Sequence, residues 1–425
     1  MLGSARGRRL GLARVMGECY LRGVMRFLAI VPMALAATTT MLSGADWPNW
    51  RGASHDGISA ERLPDELDSA EVEWTVEVGT GFATVSVAGG RLLTMGNQDD
   101  HDTVWCLEAK TGKPIWSHRY ACDLDPRYYE GGPGGTPTID LGDQSVYTLS
   151  KKGHVFCLDL EDGDVRWQRD LKTEYELELP EWSFAGSPLL TPDLVILNVG
   201  SGGWALDRQT GKTVWRSGES RSGYATPVPV NDGGVAIFSA EELVVVDGAS
   251  GKVRWRHPWE SSRGVNAADP IVVGDQLLIT SSSGVALLNP GGGEAGVAWQ
   301  SKKTLRSYFN PGIVYDGHIY AIHGTTHGPT ELVCIEVASG ETRWSKGGFG
   351  SGGLVAASGG EEIILFDKGQ LTVFRASREK FEPRLRLQVM GGKCWISPVL
   401  AGGRIYCRNA KGKLACVSFG EGGKK

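Results

Sequence analysis

The chain has 425 residues, among them 60 glycines and 14 tryptophans, and its formal net charge at pH 7 is −5. Long apolar stretches with helical periodicity are few, and glycine supplies the positive φ angles of tight turns, so the composition favours short strands over helices. The acidic balance disfavours a nucleic-acid partner. We therefore expect an all-β protein.

The N-terminus has the pattern of an export signal. Arg26 precedes the apolar run 27–37, and the small residues Ser43-Gly44-Ala45 follow, as in a secretory signal peptide. We predict a leader over residues 1–45, with Met25 as a candidate true start, and a periplasmic or secreted mature protein. Because the leader holds six basic residues and one acidic residue, its removal leaves a net charge of −10. No later segment offers the roughly 20 apolar residues of a membrane-spanning helix.

One motif recurs along the rest of the chain. Its copies are CLEAKTGKPIW (106–116), CLDLEDGDVRW (157–167), ALDRQTGKTVW (205–215), VVDGASGKVRW (245–255) and CIEVASGETRW (334–344), and a longer copy ends at Trp299. Successive tryptophans lie 40–51 residues apart, which is the length of a four-stranded propeller blade. The glycine predicts a hairpin turn, and the following tryptophan is expected to dock one blade on its neighbour.

Two further strands precede each motif, usually opened by a small residue and proline, and these inner pairs number eight. We predict a single eight-bladed β-propeller of four-stranded antiparallel blades over residues 72–420, after an N-terminal extension at 46–71 and before a polar tail at 421–425. The strand around Trp74 should complete the last blade and close the ring, which leaves no open sheet edge. The predicted docking residues are Trp74, Trp116, Trp167, Trp215, Trp255, Trp299 and Trp344. In the seventh blade Phe381 stands where tryptophan is expected.

The motif Ala/Leu-x-Asp-x-x-Thr-Gly-Lys-x-x-Trp resembles the tryptophan-docking motif of pyrroloquinoline-quinone (PQQ) enzymes. It is also similar to that of the propeller lipoprotein in the outer-membrane β-barrel assembly machine. The opening WPNWRGASHDG at 47–57 looks like the start of a subfamily of exported bacterial PQQ-like propellers. The resemblance covers essentially the whole mature chain and implies the fold more specifically than an activity.

Three segments carry extra length, at 118–135, 169–186 and 375–393, and we expect all three on one face of the ring, where long loops usually bind ligands. The candidate ligand-binding residues of this face are Arg127, Tyr128, Tyr129, Trp182, Phe184, Arg221, Tyr224, Asn266, Asp269, Tyr308, Phe309, Asn310, Lys393 and Trp395. Asp269 differs from neighbouring repeats, which have threonine or serine before the same proline. A carboxylate facing the channel could hold a cation or act as a base, but we interpret Asp269 as a solvated channel residue.

Two functions remain open. The first is a non-catalytic binding or scaffold module for a protein or a polysaccharide, monomeric and without a cofactor or metal. The second is a PQQ- and Ca²⁺-dependent quinoprotein dehydrogenase acting on alcohols or sugars. The resemblance implies for such enzymes a disulfide between adjacent cysteines under the PQQ, although some classes lack it, and no two cysteines are adjacent here. Asn266, Asp269, Asn310 and Trp395 would then supply the cofactor site. We favour the first function.

Cysteines and histidines predict no metal centre. Cys106, Cys157, Cys334 and Cys416 share one repeat position on a strand and are expected to be small buried apolar residues. Cys394 and Cys407 are the one pair that we single out for a disulfide test. His323 and His327 are four residues apart, but in a glycine-containing loop, which is a weak zinc pattern.

Overall fold

A computed structural model describes residues 45–326 and 328–420. Residues 1–44 of the predicted leader, the tail 421–425 and His327 lie outside these residues. The described chain forms eight four-stranded antiparallel sheets, so the predicted eight-bladed propeller is confirmed. Within the described ranges, none of the helices has the length and apolar character needed to cross a membrane.

The first four blades follow one another along the chain, each running from an inner to an outer strand. Their strands are β2 Ser86–Ala88, β3 Arg91–Gln98, β4 His101–Glu108 and β5 Pro114–Ala121; β6 Thr138–Asp140, β7 Ser145–Leu149, β8 His154–Asp159 and β9 Val165–Asp170; β10 Leu189–Leu190, β11 Leu194–Leu197, β12 Trp204–Asp207 and β13 Thr213–Arg216; β14 Val228–Val230, β15 Gly234–Phe238, β16 Glu242–Asp247 and β17 Val253–Pro258. A short helix α1, Leu171–Tyr175, and a 3-10 helix, Asn231–Gly233, lie among them.

The last four blades keep the same order. Their strands are β18 Ile271–Val273, β19 Gln276–Ser281, β20 Gly284–Asn289 and β21 Gly296–Ser301; β22 Ile313–Tyr315, β23 His318–Gly324, β24 Thr330–Glu336 and β25 Thr342–Phe349; β26 Gly353–Ala357, β27 Glu362–Asp367, β28 Gln370–Arg375 and β29 Pro383–Gln388; β30 Val399–Ala401, β31 Arg404–Arg408 and β32 Lys413–Phe419. Two 3-10 helices, Ser262–Gly264 and Ser358–Gly360, precede and interrupt them.

The ring closes through the first strand, as predicted. Strand β1, Ala70–Glu77, pairs antiparallel with β32 and becomes the outer strand of the eighth blade, with Trp74 opposite Cys416. Arg408 of β31 adds a second link, because its guanidinium donates to the carbonyl oxygens of Gly79, Ala83 and Met95 in and next to the first blade. The closure therefore combines a strand ladder with a buried cation.

Tryptophans join neighbouring blades at the outer strands. Trp116 lies opposite Cys106 beside a β-bulge, and its indole N–H donates to the carbonyl oxygen of Leu160 in the next blade at 3.0 Å. The ring covers Gly163, where a Cβ atom would lie 2.6 Å from it. Trp74, Trp167, Trp215 and Trp299 repeat both contacts with the blades that follow them.

The seventh blade corrects one prediction. In every other blade the tryptophan lies just before the bulge of the third-to-fourth strand ladder, and in the seventh blade that place is taken by Leu385, opposite Val373. Phe381 lies in the preceding hairpin, where its ring packs against Trp344 and Phe374. The hairpin 376–382 of this blade is longer than the equivalent hairpins of the other blades. The residue equivalent to tryptophan therefore lies further along the chain than Phe381, at Leu385.

The alternation of strand direction gives the ring two faces. The connections between blades and the hairpins that join the second to the third strand form one face, which we call the upper face. The opposite face is the lower face. Of the predicted segments 118–135 and 169–186, the parts that follow β5 and β9, 122–135 and 171–186, lie on the upper face as expected. Segment 375–393 does not lie there as a whole, because it contains a lower-face hairpin, strand β29 and only a short upper connection.

We call residues 45–69 the N-terminal segment, and its first part, 47–58, crosses the central channel on the lower side. Trp47 pairs with Val87 of the first blade, and Ile58 pairs with Ala356 of the seventh. Between these two points the backbone of Pro48 accepts a hydrogen bond from Ile139 of the second blade. The segment therefore spans the opening that the eight inner strands leave.

All seven cysteines of the described chain are buried and unbonded. The four at the repeat position pack within the blade interfaces, in agreement with the prediction. Cys394 lies in the connection before β30 rather than on a strand, and it shares a cluster of buried side chains with Cys407.

Candidate functional site

A cavity of about 600 Å³ opens at the centre of the upper face. Its walls come from the connections that lead into the inner strands of several blades, and its floor comes from the N-terminal segment. Ten of its lining side chains are aromatic: Trp50, Phe82, Tyr128, Tyr129, Trp182, Phe184, Tyr224, Tyr308, Phe309 and Trp395.

Five of the rings form a continuous wall. In order they are Tyr129, Phe82, Trp395, Phe309 and Tyr308, and successive ring centroids lie 5.4, 5.9, 5.3 and 6.4 Å apart with interplanar angles of 34–49°. Each ring is turned partway relative to the next, so the five rings form one apolar surface that curves. Such a surface can pack against the face or edge of another ring.

The opposite side of the mouth is a polar cluster. Arg263 pairs with Glu181 at 3.0 Å, and its guanidinium lies 5.9 Å from the ring centres of both Tyr128 and Trp182. The indole N–H of Trp182 donates to the carbonyl oxygen of Arg127. These contacts tie together three connections that are distant in sequence. Tyr128 remains 84% exposed at the rim.

The floor is a contact between Trp50 and Asp269. The indole N–H of Trp50 donates to Oδ2 of Asp269, and the backbone N–H of Thr226 donates to Oδ1 at 2.7 Å. Asp269 is 3% exposed. Burial raises its pKa to about 6, although both hydrogen bonds and the charge of Arg51 oppose that shift. The expectation of a solvated carboxylate is therefore wrong.

Asp269 also belongs to a relay of hydrogen bonds around the channel. The backbone N–H of Thr84 donates to Oγ1 of Thr136, that of Thr136 to Oγ of Ser187, and that of Ser187 to Oγ1 of Thr226. The bond from Thr226 to Asp269 is the next step of the series. A threonine or serine supplies one acceptor, whereas the aspartate supplies a second oxygen, which binds Trp50.

Arg51 fixes the segment next to that contact. Its guanidinium is buried and donates to the carbonyl oxygens of Asp56 and Gly312 at 2.6 and 3.1 Å. Burial lowers the pKa of Arg51, and the negative charges of Asp269 and Asp56 counteract the shift. The floor of the cavity is thus held from the N-terminal segment, the fifth blade and the sixth blade.

Most of the predicted face residues meet in the cavity. Those lining it are Arg127, Tyr128, Tyr129, Trp182, Phe184, Tyr224, Asp269, Tyr308, Phe309, Asn310 and Trp395. Arg221 instead pairs with Glu241 outside it. Lys393 lies over the ring of Trp395 at 4.3 Å and pairs with Glu130. Asn266 is fully buried, and its amide donates to the carbonyl oxygens of its surroundings.

Sequence reasoning missed three prominent lining residues. Phe82 stands two residues before Thr84, the place that Tyr224, Tyr308 and Trp395 hold in their own repeats, so the same alignment applied to the first blade finds it. Trp50 and Arg263 have no such repeat signal. Their positions follow from tertiary contacts alone.

The residues named for a PQQ and Ca²⁺ site do not fit it. Both oxygens of Asp269 accept hydrogen bonds from fixed donors. The amide of Asn310 donates to the carbonyl oxygens of Ser351, Gly352 and Trp395. Asn266 lies away from the cavity lining. Ca²⁺ needs several oxygen ligands converging on one point, and these three side chains do not provide them.

The fold and cavity define a PQQ-like eight-bladed propeller with a blind funnel on one face. The sequence profile of a family described as outer membrane protein assembly factor BamB matches residues 129–346, and the chain belongs to that family. A relative in Burkholderia pseudomallei (strain K96243), the outer membrane protein assembly factor BamB, is 25% identical over 266 residues, covering 52% of this chain and 68% of that protein.

Solved structures agree on the fold. BamB from Moraxella catarrhalis superimposes with a TM-score of 0.60 and 17% identity, covering 84% of this chain and 99% of that chain. The quinohemoprotein alcohol dehydrogenase ADHIIG from Pseudomonas putida HK5 gives a TM-score of 0.65 and 12% identity, covering 89% and 81%. At these identities the likeness concerns architecture and assigns no activity.

Proposed function

We propose that this chain is an exported, non-catalytic propeller that holds a protein partner at its upper face in the periplasm. The chain belongs to a family described as outer membrane protein assembly factor BamB, which supports a scaffold role. The predicted signal peptide supports export. The observation that carries the proposal is the blind aromatic cavity, because it concentrates apolar surface where the longest connections meet. Exposed apolar concavities of this kind mark interaction sites.

Sequence reasoning left protein and polysaccharide open, and we favour protein. Tryptophan, tyrosine and arginine are the residues most enriched among the dominant contacts of protein interfaces, and they are the types that gather at the mouth of the cavity. Lysine and glutamate, which are depleted at interface centres, are missing from the lining as the structure describes it.

A non-catalytic role agrees with the state of Asp269. A pKa near 6 would suit a general base, but both carboxylate oxygens accept hydrogen bonds from fixed donors and the side chain is almost fully buried. A substrate would have to displace Trp50 to reach it. We therefore propose that the chain works without PQQ or Ca²⁺.

Site-specific photo-crosslinking in the cell envelope of the producing organism tests this function. A benzophenone amino acid would replace Tyr128 at the rim of the cavity, and Ile115, which is 47% exposed on an outer strand, would serve as the control position. We expect a discrete protein adduct from position 128 and none from position 115. A carbohydrate adduct at position 128, or equal labelling at both positions, would contradict the proposal.

The cofactor part has its own test. Purified mature protein would be titrated with PQQ and Ca²⁺ while tryptophan fluorescence and dye reduction with alcohols and sugars are followed. We expect neither saturable quenching at micromolar PQQ nor turnover. Saturable binding together with turnover would establish the quinoprotein dehydrogenase instead.

A further inference from the structure

The deep part of the cavity has polar groups that are already in use. Oγ of Ser187 and Oγ1 of Thr226 accept backbone hydrogen bonds from the neighbouring blade, and Asp269 is bonded at both oxygens. Each of these two hydroxyl groups keeps its O–H donor for a ligand. A sugar ring at this depth would therefore find fewer partners than it has hydroxyl groups, and burying unpaired polar groups weakens binding. The interior suits an apolar ring.

The curved wall supplies the matching surface. Its five rings present adjoining faces and edges, and aromatic pairs prefer offset or edge-to-face contacts at similar spacing. A volume of about 600 Å³ lies within the range of about 300–1,000 Å³ for enclosing ligand sites. The space is therefore sufficient for a ligand element with several side chains.

The mouth adds charge. The side chains of Arg127 and Arg263 are 55% and 56% exposed, and each pairs with one carboxylate of the protein. Of the three guanidinium nitrogens of Arg263, only Nη1 donates a hydrogen bond to another residue of the described chain. Guanidinium groups bind carboxylates through paired, charge-assisted hydrogen bonds. The entrance thus holds two exposed guanidinium groups with further donors for carboxylates, while the interior is lined by rings.

We propose that the cavity receives a segment of the partner protein in which aromatic side chains are flanked by acidic residues. The aromatic side chains enter the funnel and stack on the wall from Tyr129 to Tyr308, and the flanking carboxylates bind Arg127 and Arg263. This inference rests on the proposed function, because it names the chemistry of the partner at the same site. Because Trp50 of the N-terminal segment lines the floor, the partner segment enters from the upper face.

Synthetic peptides and isothermal titration calorimetry test the ligand class. The probes are the acetylated, amidated pentapeptide Asp-Phe-Trp-Phe-Asp, its analogue with lysine at both ends, and its analogue with three central alanines. We expect saturable binding of the first peptide at one site, with an affinity about tenfold above that of the lysine-ended analogue. The alanine analogue and maltohexaose should not bind.

Variants locate the site. Arg263→Ala should remove most of the preference for acidic over basic ends, and Tyr128→Ala should weaken both aromatic peptides equally. Arg221→Ala is the matched control, because Arg221 is an exposed, ion-paired arginine of the same face outside the cavity. Because all three side chains are exposed, the three variants should have the melting temperature of the wild-type protein, which thermal unfolding checks. Equal binding of acidic and basic peptides, or competition by maltohexaose, would overturn the inference.

The crosslinking experiment separates this inference from the function on which it rests. A protein adduct at position 128 that excess Asp-Phe-Trp-Phe-Asp peptide abolishes supports both. An adduct that the peptide leaves unchanged overturns the proposed ligand chemistry while the scaffold function stands. Absence of any protein adduct overturns the function itself.

Discussion

The indole N–H of Trp50 and the carboxylate of Asp269 join the N-terminal segment to the fifth blade across 219 residues of sequence. The aspartate stands where neighbouring repeats have threonine or serine. Its Oδ1 accepts the backbone N–H of Thr226, which continues the series of hydrogen bonds around the channel, and its Oδ2 accepts the indole N–H of Trp50. The substitution in this repeat thus adds a bond to the floor of the cavity, which the buried Arg51 also holds through the carbonyl oxygens of Asp56 and Gly312.

The same contact predicts how stability depends on pH. The pKa of Asp269 is about 6 in the folded chain, against 3.8 in the unfolded reference, so the folded state binds the proton more tightly. Ionising this carboxyl therefore lowers the free energy of unfolding as pH rises from about 4 to about 6, by roughly 3 kcal/mol in all. Above that window its contribution is constant. Asp269→Asn, which cannot ionise, should lack this loss.

Urea unfolding of both proteins between pH 4 and 8 measures the effect as a difference, so other titrating groups cancel. Asp247→Asn is the control, because Arg254 and the Ser250 hydroxyl lower the pKa of Asp247 to about 2. Its contribution is complete above the unfolded pKa, so the difference from wild type should stay flat over the same range. A flat difference for Asp269→Asn as well would contradict the prediction.

The blade-docking contact predicts an unequal cost of alanine at two glycines. Gly211 has φ +69° and a Cβ would lie 2.6 Å from the ring of Trp167, whereas Gly274 has φ +60° and open space around the same position. Alanine in the left-handed region costs about 1–2 kcal/mol at either site. Gly211→Ala should lose about 1–3 kcal/mol more, because the docked ring must move.

Chemical denaturation of Gly211→Ala and Gly274→Ala gives the two free energies of unfolding. Near-ultraviolet circular dichroism reports on the tryptophan environment, and its signal should change only for Gly211→Ala. Equal destabilisation of the two variants would mean that the contact between Trp167 and the hairpin contributes nothing beyond backbone strain.

Repetition explains which parts of this molecule could be predicted from its sequence. The motif ending at Trp116, Trp167 and their equivalents appears often enough to give the blade period, and the surplus strand around Trp74 then has one place to go. The same regularity failed at Phe381, because one hairpin is longer and the register passes to Leu385.

The candidate site depended more on contacts that sequence does not display. Rim aromatic residues such as Tyr128 and Trp182 could be predicted, since they stand in long connections. Asn266 could not be told apart from them, yet its amide holds buried carbonyl groups. Arg263 reaches the mouth because it pairs with Glu181, 82 residues earlier. Such pairings are set by the ring geometry rather than by local pattern.

Arg408 predicts how firmly the ring is closed. The side chain is 1% exposed, and burial lowers its pKa to about 9, so it remains charged at neutral pH. Its guanidinium donates to the carbonyl oxygens of Gly79, Ala83 and Met95, which belong to the other end of the ring. Arg408→Met would keep the apolar packing but leave these acceptors buried without a donor. We expect the free energy of unfolding to fall by about 2–4 kcal/mol. The fall should be smaller than the summed cost of three unsatisfied carbonyl groups, because the variant no longer buries a charged guanidinium.

Arg404→Met is the matched control on the same strand, because Arg404 forms a partly exposed ion pair with Glu73, and such pairs contribute about 0–1 kcal/mol. Hydrogen exchange adds a local measurement. If Arg408 holds the seam between the eighth and first blades, the amides of β1 and β3 should exchange faster in Arg408→Met, while those of the fourth blade keep the wild-type rates under conditions of local opening. Equal stability of the two variants, or acceleration spread evenly around the ring, would place the strength of the closure in the β1–β32 ladder and not in the buried arginine.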